Sequence, residues 1–327
     1  RLVVLLAKER RLGPSAAMAL LLPAMVALGV GLAASLLLPF FELSRENFRV
    51  GQVSYEDVVG WALPLRHIPA FLMPDFFGNP THHSYLDIIA GKVQPLSHYP
   101  FWGAKNYVEG MAYVGVLPLI LAAVGFIMRR RQQQAWFFAI FAIFSLLLAF
   151  GSPIYWLFFY GIPGFDQLHS PFRWLFPYAF SVAVLAGMGM EALRSKEAAG
   201  EKRVVSCLAK ASAAVGGLIL AGLLASRLFS QSSLAAAEAL LSRSHSLALA
   251  FPNGQVLYSY FFRNFLVFAL LLTAGGLAVA FFVKRPRSLS LCATLVGLIV
   301  IDLFYFGYDF NSATNPDLLR FIPSSLQ

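Results

Sequence analysis

The sequence predicts an all-α integral membrane protein, a polytopic helical bundle of about seven transmembrane helices with long extracytoplasmic loops bearing short interfacial helices. Three observations predict it. Seven long apolar runs follow one another along the 327 residues. Clusters of Lys and Arg stand at every second junction between them. The chain is also 58% hydrophobic and only 13% charged, where soluble domains are roughly half apolar and a quarter charged.

A helix that crosses hydrocarbon needs about 20 apolar residues. Ala16–Phe41, Met111–Met128, Ala135–Phe150, Leu175–Leu193, Val204–Leu224, Phe265–Val283 and Leu289–Phe306 are the runs, the third being short. Pro23, Pro118 and Pro177 fall inside them. These are expected kinks, tolerated where neighbouring helices satisfy the freed carbonyls.

Orientation follows from the bias of basic residues toward the cytoplasmic side. Lys8, Arg10 and Arg11 precede the first run, and Arg129, Arg130 and Arg131 follow the second. Arg194, Lys196, Lys202 and Arg203 link the fourth to the fifth; Lys284, Arg285 and Arg287 link the sixth to the seventh. These segments are expected in the cytoplasm, and 42–110, 151–174, 230–264 and 307–327 outside. An odd number of spans leaves the end of the chain extracytoplasmic. The net charge of +9 then reflects topology, and nucleic acid is not a partner, since that needs basic residues gathered on one soluble face. Cys207 and Cys292 lie within or beside apolar runs and give no metal-ligand spacing. The chain starts at Arg1 without a signal peptide. It is therefore expected to be a single transmembrane domain, 1–327, cut from a longer polypeptide.

Chemistry is expected in the outer loops. The first, 42–110, is long, aromatic and proline-rich, and loops of that length in a compact domain are functional or disordered. Ser54 with Glu56 and Asp57 reads as a helix start, with Trp61 as an interfacial anchor. Asp75, Asn79, His82 and His83 then place a carboxylate, an amide and two imidazoles among the breakers Pro74, Gly78 and Pro80. Three readings stand side by side: a sugar- or phosphate-contacting loop, a divalent-cation site with Asp75 and His82 as ligands, and a loop held by side-chain turns. Glu109 precedes the second run, where a helix dipole favours negative charge. Tyr107 and Tyr113 fit an aromatic belt.

In the second outer loop, Ile154–Ile162 is apolar but too short to span, and Gly and Pro bound it. Arg173 follows at the mouth of the fourth run. There it either snorkels to lipid headgroups or clamps a substrate phosphate. Asp302 lies near the outer end of the last run, and an intramembrane carboxylate is a functional candidate by default, with Arg173 as a packing partner.

Four segments in this order resemble the YfhO-type bacterial membrane proteins: Met73-Pro-Asp-Phe-Phe-Gly; Tyr107-Val-Glu-Gly-Met-Ala-Tyr-Val-Gly-Val-Leu-Pro-Leu; Pro163-Gly-Phe-Asp-Gln-Leu-His-Ser-Pro-Phe-Arg-Trp; and Asp302-Leu-Phe-Tyr-Phe-Gly-Tyr-Asp-Phe-Asn. The third departs from the family in carrying His169 where a basic residue is common, which leaves Arg173 as its only arginine. The resemblance implies a GT-C-type glycosyltransferase of the bacterial cytoplasmic membrane. Such an enzyme transfers sugar from a polyprenyl-phosphate donor to a glycan or cell-wall polymer outside. It implies substrate contacts from Arg173, His169, Asn79, His82 and Tyr107, with membrane lipid around the bundle. Trp61, Trp102 and Trp156 would receive prenyl chain and sugar faces. A carboxylate would deprotonate the acceptor hydroxyl; Asp75 and Glu109 are the local candidates, and the family's catalytic acid lies upstream of Arg1. The rivals are a non-catalytic assembly subunit and a transporter, which would show repeats and mid-bilayer polar groups.

Overall fold

The computed structural model describes residues 12–46, 54–97, 99–162, 165, 170–195, 199–285 and 289–310. The chain divides into two compact units, Arg1–Val53 and Ser54–Gln327. In the first, the opening apolar run forms one long helix, α1 (Leu12–Glu46), with Pro23 and Pro39 inside it. Leu21, Leu28, Leu32, Leu36, Leu38 and Leu43 on it are exposed.

The second unit begins with a short helix, α2 (Tyr55–Gly60), whose N-cap Ser54 accepts from Asp57 N–H at 3.1 Å. Two 3-10 turns follow, Leu65–Phe71 and Pro74–Phe77. Next comes an antiparallel hairpin of β1 (Ser84–Asp87) and β2 (Lys92–Pro95), in register Ser84↔Pro95 to Asp87↔Lys92. The helices are then α3 (Val116–Arg129), α4 (Gln133–Ala149), α5 (Pro153–Gly161), α6 (Leu175–Arg194) and α7 (Ala199–Leu228). α8 (Ser230–Arg243), α9 (His245–Ala250), α10 (Gly254–Lys284) and α11 (Leu289–Gly307) complete the order, and a 3-10 turn, Tyr308–Phe310, closes it.

Four helices among the described residues are long and apolar enough to cross a membrane: Pro171–Arg194, Gly200–Leu228, Gly254–Lys284 and Leu289–Gly307. The other runs are helical too, but shorter. Pro23–Pro39 and Val116–Arg129 are apolar helices below spanning length, and α4 with α5 forms a pair bent by 86°. The break falls at Gly151, in the left-handed region at φ 63°. A Cβ there would stand 2.7 Å from Ala62 Cβ. The short apolar Ile154–Ile162 piece is thus the helix α5, turned sharply off α4.

Glycines let the bundle close. A Cβ on Gly125 of α3 would meet Leu185 O at 2.1 Å, and one on Gly189 of α6 would meet Leu121 O at 2.1 Å. α7 and α10 repeat the device, with Gly216 against Thr273 and Gly276 against Ala209. In lipid, burial of apolar surface gives helices no reason to associate, and close backbone approach at small residues supplies the packing instead. At the basic end, Arg129 pairs with Glu191 at 3.8 Å and Arg130 with Glu201 at 3.7 Å. One partner of each pair is exposed to solvent, which screens the attraction and keeps its contribution small.

The segments 54–110 and 230–264 are a second structured region. Tyr85, Leu241, Leu247, Phe251, Leu257 and Tyr260 form a small core of their own. Asp87 ties the hairpin to α10. Its Oδ1 accepts from Ile89 and Ala90 N–H, and its Oδ2 from Gln94 and, at 2.6 Å, from Gln255. Burial opposes ionisation of Asp87, but these hydrogen bonds outweigh it and hold the carboxyl below its ordinary value.

Three boundaries expected from the apolar runs are corrected. α3 starts at Val116, because Gly115 sits at φ 95° and Met111–Gly115 is non-helical. α10 starts at Gly254, where Asn253 accepts from Val256 N–H at 3.0 Å, so the final third of the 230–264 loop is helix. α1 runs on to Glu46, into the expected loop 42–110.

Candidate functional site

Asp75 lies in the Pro74–Phe77 turn and is only 2% exposed. The chain reverses after it at Gly78, whose φ is 82°. A Cβ at Gly78 would fall 1.3 Å from Pro100 O, so a second backbone segment crosses directly over it. Trp102 N–H donates to Phe77 O at 2.9 Å and fixes that crossing.

Around Asp75 is a buried polar cluster. The Tyr107 hydroxyl donates to Asp75 Oδ1 at 2.5 Å, and Asn79 Nδ2 donates to the same oxygen at 3.0 Å. Asn79 Oδ1 accepts from Thr81 N–H at 2.9 Å and Thr81 Oγ1 at 2.8 Å, which is the side-chain turn expected of this loop. Asn264 of α10 donates to Asp75 O at 2.8 Å. His82 Nε2 stands 3.9 Å from Asp75 Oδ2, and its Nδ1 lies 2.9 Å from the Tyr260 hydroxyl. Burial first, then the Asp75 charge, pushes the Tyr107 phenol far above its ordinary value, so its proton stays in place as a hydrogen-bond donor.

A parallel arrangement surrounds Asp302, which is 1% exposed. Tyr113 donates its hydroxyl to Oδ1, and Val116 N–H donates to Oδ2 at 3.0 Å. Asp302 therefore caps α3 from a distant helix, α11. This corrects two expectations. Arg173 is not the partner of Asp302. Nor is Glu109 at the start of α3: it is exposed and lies seven positions ahead of Val116, in a turn where Asn106 Oδ1 accepts from Val108 N–H.

Between the two tyrosines opens a cleft of about 310 Å³, walled by Tyr107, Met111, Tyr113, Leu303, Phe306 and Phe310. Tyr107 stacks on Phe310 at 5.1 Å, and Tyr113 meets Phe306 edge-on at 5.2 Å. Tyr107 and Tyr113 are thus not surface belt residues; each is a cleft wall tethered to a carboxylate.

The remaining candidates are dispersed. Arg173 is exposed on the Pro171–Trp174 turn and makes no ion pair among the described residues. His169 lies outside the described residues. His83 is exposed and its ring meets Tyr99. Trp61 is exposed with Lys105 Nζ 5.6 Å from its ring centre, and Trp156 is exposed as well. Trp102 instead is half-buried and packs on Phe77 at 4.6 Å. As a metal site the Asp75–His82 pair stops at two donors, since no group of three His, Cys, Asp or Glu gathers among the described residues.

Three contributors were not singled out by reading the sequence. Tyr260 and Asn264 sit on a helix whose start was placed too late. His67 stacks on Phe77 at 4.3 Å and accepts from Ala104 N–H at 3.1 Å. Burial, with help from Arg66 and Lys105, lowers its pKa to about 4. Comparison of the chain with protein-family models, with characterised proteins and with solved structures finds no match.

Proposed function

We propose that this chain is part of a GT-C-type membrane glycosyltransferase of the bacterial cytoplasmic membrane, resembling the YfhO-type proteins. It would move a sugar from a polyprenyl-phosphate donor to a cell-envelope acceptor. The observation that carries the reading is the aromatic cleft at the end of α11, whose wall Tyr107 is held by the buried Asp75. Aromatic faces suit sugar rings and prenyl chain, and a cleft at the end of an apolar helix suits a substrate whose tail stays in lipid. In this reading α1, α3 and the bent α4–α5 pair join the four longer helices as membrane segments, making seven, with the basic junctions inside and the cleft outside.

The roles divide by exposure. Arg173 meets the donor phosphate, for which a guanidinium fork is suited. Asp75 and Asn79 are occupied within the protein, so they position Tyr107 and leave proton abstraction to a group elsewhere. His82 joins Asp75 to Tyr260 and steadies α10 against the loop.

One observation favours a second reading, a non-catalytic assembly subunit. Both buried carboxylates are hydrogen-bonded to tyrosines, and neither presents an open oxygen to the cleft. The test is sugar transfer by the purified protein in vesicles supplied with a polyprenyl-phosphate-linked sugar. Arg173→Ala should lower transfer by about tenfold or more, mainly through donor KM, with membrane insertion preserved. Unchanged transfer removes Arg173 from the reaction. Absence of transfer in the unaltered protein turns the assignment to the subunit.

A further inference from the structure

Arg263 of α10 and Tyr305 of α11 meet where both helices leave their apolar runs. Arg263 stands two residues ahead of the run Phe265–Val283, and Tyr305 is the penultimate residue of Leu289–Phe306. Lys284 and Arg285 lie at the opposite ends of the same two helices, where α10 passes into α11. Both helices are long and apolar enough to cross a membrane. Their meeting point at the edge of the apolar zone matches the depth of lipid headgroups.

Arg263 is half-buried, and its Nε and Nη2 both donate to the Tyr305 hydroxyl, at 3.0 and 2.9 Å. Its guanidinium carbon is 5.6 Å from the centre of the same ring. A guanidinium carries five N–H donors in one plane. Two of them converge on a single oxygen and fix that plane. Nη1 and the second N–H of Nη2 then have no acceptor among the described residues, and neither has the Tyr305 O–H. Asp75 acts on Arg263 through space, but its ion-pair contact is with His82. A tether between two helices needs only one of these bonds. What remains is a positive charge surrounded by donors that lack acceptors, the complement of a phosphate.

The same position continues into the apolar zone. Leu270, two turns along α10 from Arg263, is exposed, and so is Ile301, one turn before Tyr305 on α11. Neither Arg263 nor Tyr305 lines the aromatic cleft.

We propose that Arg263 and Tyr305 bind the phosphate of a bilayer phospholipid, whose acyl chains lie along Leu270 and Ile301. The site does not rest on sugar transfer or on Arg173.

Native mass spectrometry of the whole purified protein in detergent tests it, with phosphatidylglycerol, phosphatidylethanolamine and diacylglycerol offered in turn. Both phospholipids should be retained about tenfold more than diacylglycerol, which has the same chains and no phosphate. Arg263→Gln should erase that preference without lowering the thermal midpoint of the lipid-free protein, and Arg173→Ala should leave the preference intact. Should Arg263→Gln not fold, Ile301→Trp, at a lipid-facing position, blocks the chains and should lower phospholipid retention by a similar factor. Equal retention of diacylglycerol by the unaltered protein overturns the proposal, as does undiminished phospholipid retention in Arg263→Gln or Ile301→Trp. Release of the lipid by free phosphate at equal concentration also overturns it, since the headgroup alone would then be the ligand. So does release by polyprenyl phosphate at equal concentration, which would make the site part of donor binding.

Discussion

At the scale of single residues, this protein repeatedly turns ionisable side chains into fixed structural parts. His67 is the clearest titration case. Its folded-state pKa is about 4, against 6.5 for an unperturbed histidine. Between those values the unfolded chain binds a proton that the folded chain refuses. Stability therefore falls as pH drops through that window and is indifferent to His67 above it. The unfolding midpoint of the detergent-solubilised protein should decline from about pH 7 to about pH 5, and His67→Gln, which keeps an acceptor but cannot charge, should flatten the decline. Identical slopes would remove His67 as its cause. The sequence showed Asp75, Asn79 and His82 as a polar group among breakers, and the side-chain turn at Asn79 was legible from its residue type. What it hid was the sink for those groups. Tyr107 and Tyr260 lie 28 and 178 positions from their partners Asn79 and His82, and no local rule connects them.

Among elements, the α3–α6 contact is where backbone meets backbone. Gly189→Val would drive a side chain into Leu121 O, which already lies 2.1 Å from a Cβ at that position. Overpacking of this kind costs on the order of 3 kcal/mol. The yield of folded protein should drop sharply for Gly189→Val and remain near normal for Gly187→Val, where a Cβ meets nothing within 4 Å. Matching losses in both variants would mean that helix propensity, not contact, matters. The helices themselves were readable, since every apolar run became one. Their starts were less so, although cues were present. Pro118 falls in the first turn of α3, where proline is favoured, and Asn253 is a capping residue type. Apolar character alone ran through Gly115 and began α10 too late. The hairpin escaped because four-residue strands carry too little alternation to stand out.

For the whole molecule, the arrangement of basic junctions predicts sidedness that labelling can check. With Cys207 and Cys292 replaced by Ser, Lys92→Cys should react with a membrane-impermeant maleimide on intact cells. Arg131→Cys should react only in inverted vesicles; both residues are exposed. The opposite pattern would place the hairpin and the cleft in the cytoplasm. Membrane character was legible from composition, but the joining of distant segments was not, and the cap on α3 is the sharpest example. Its donor and acceptor are 186 positions apart. A ribosome that has just released Val116 has most of the remaining protein still to make before Asp302 exists. During that interval the leading turn of α3 has no lid, and the early half of the bundle waits on the last helix to be finished.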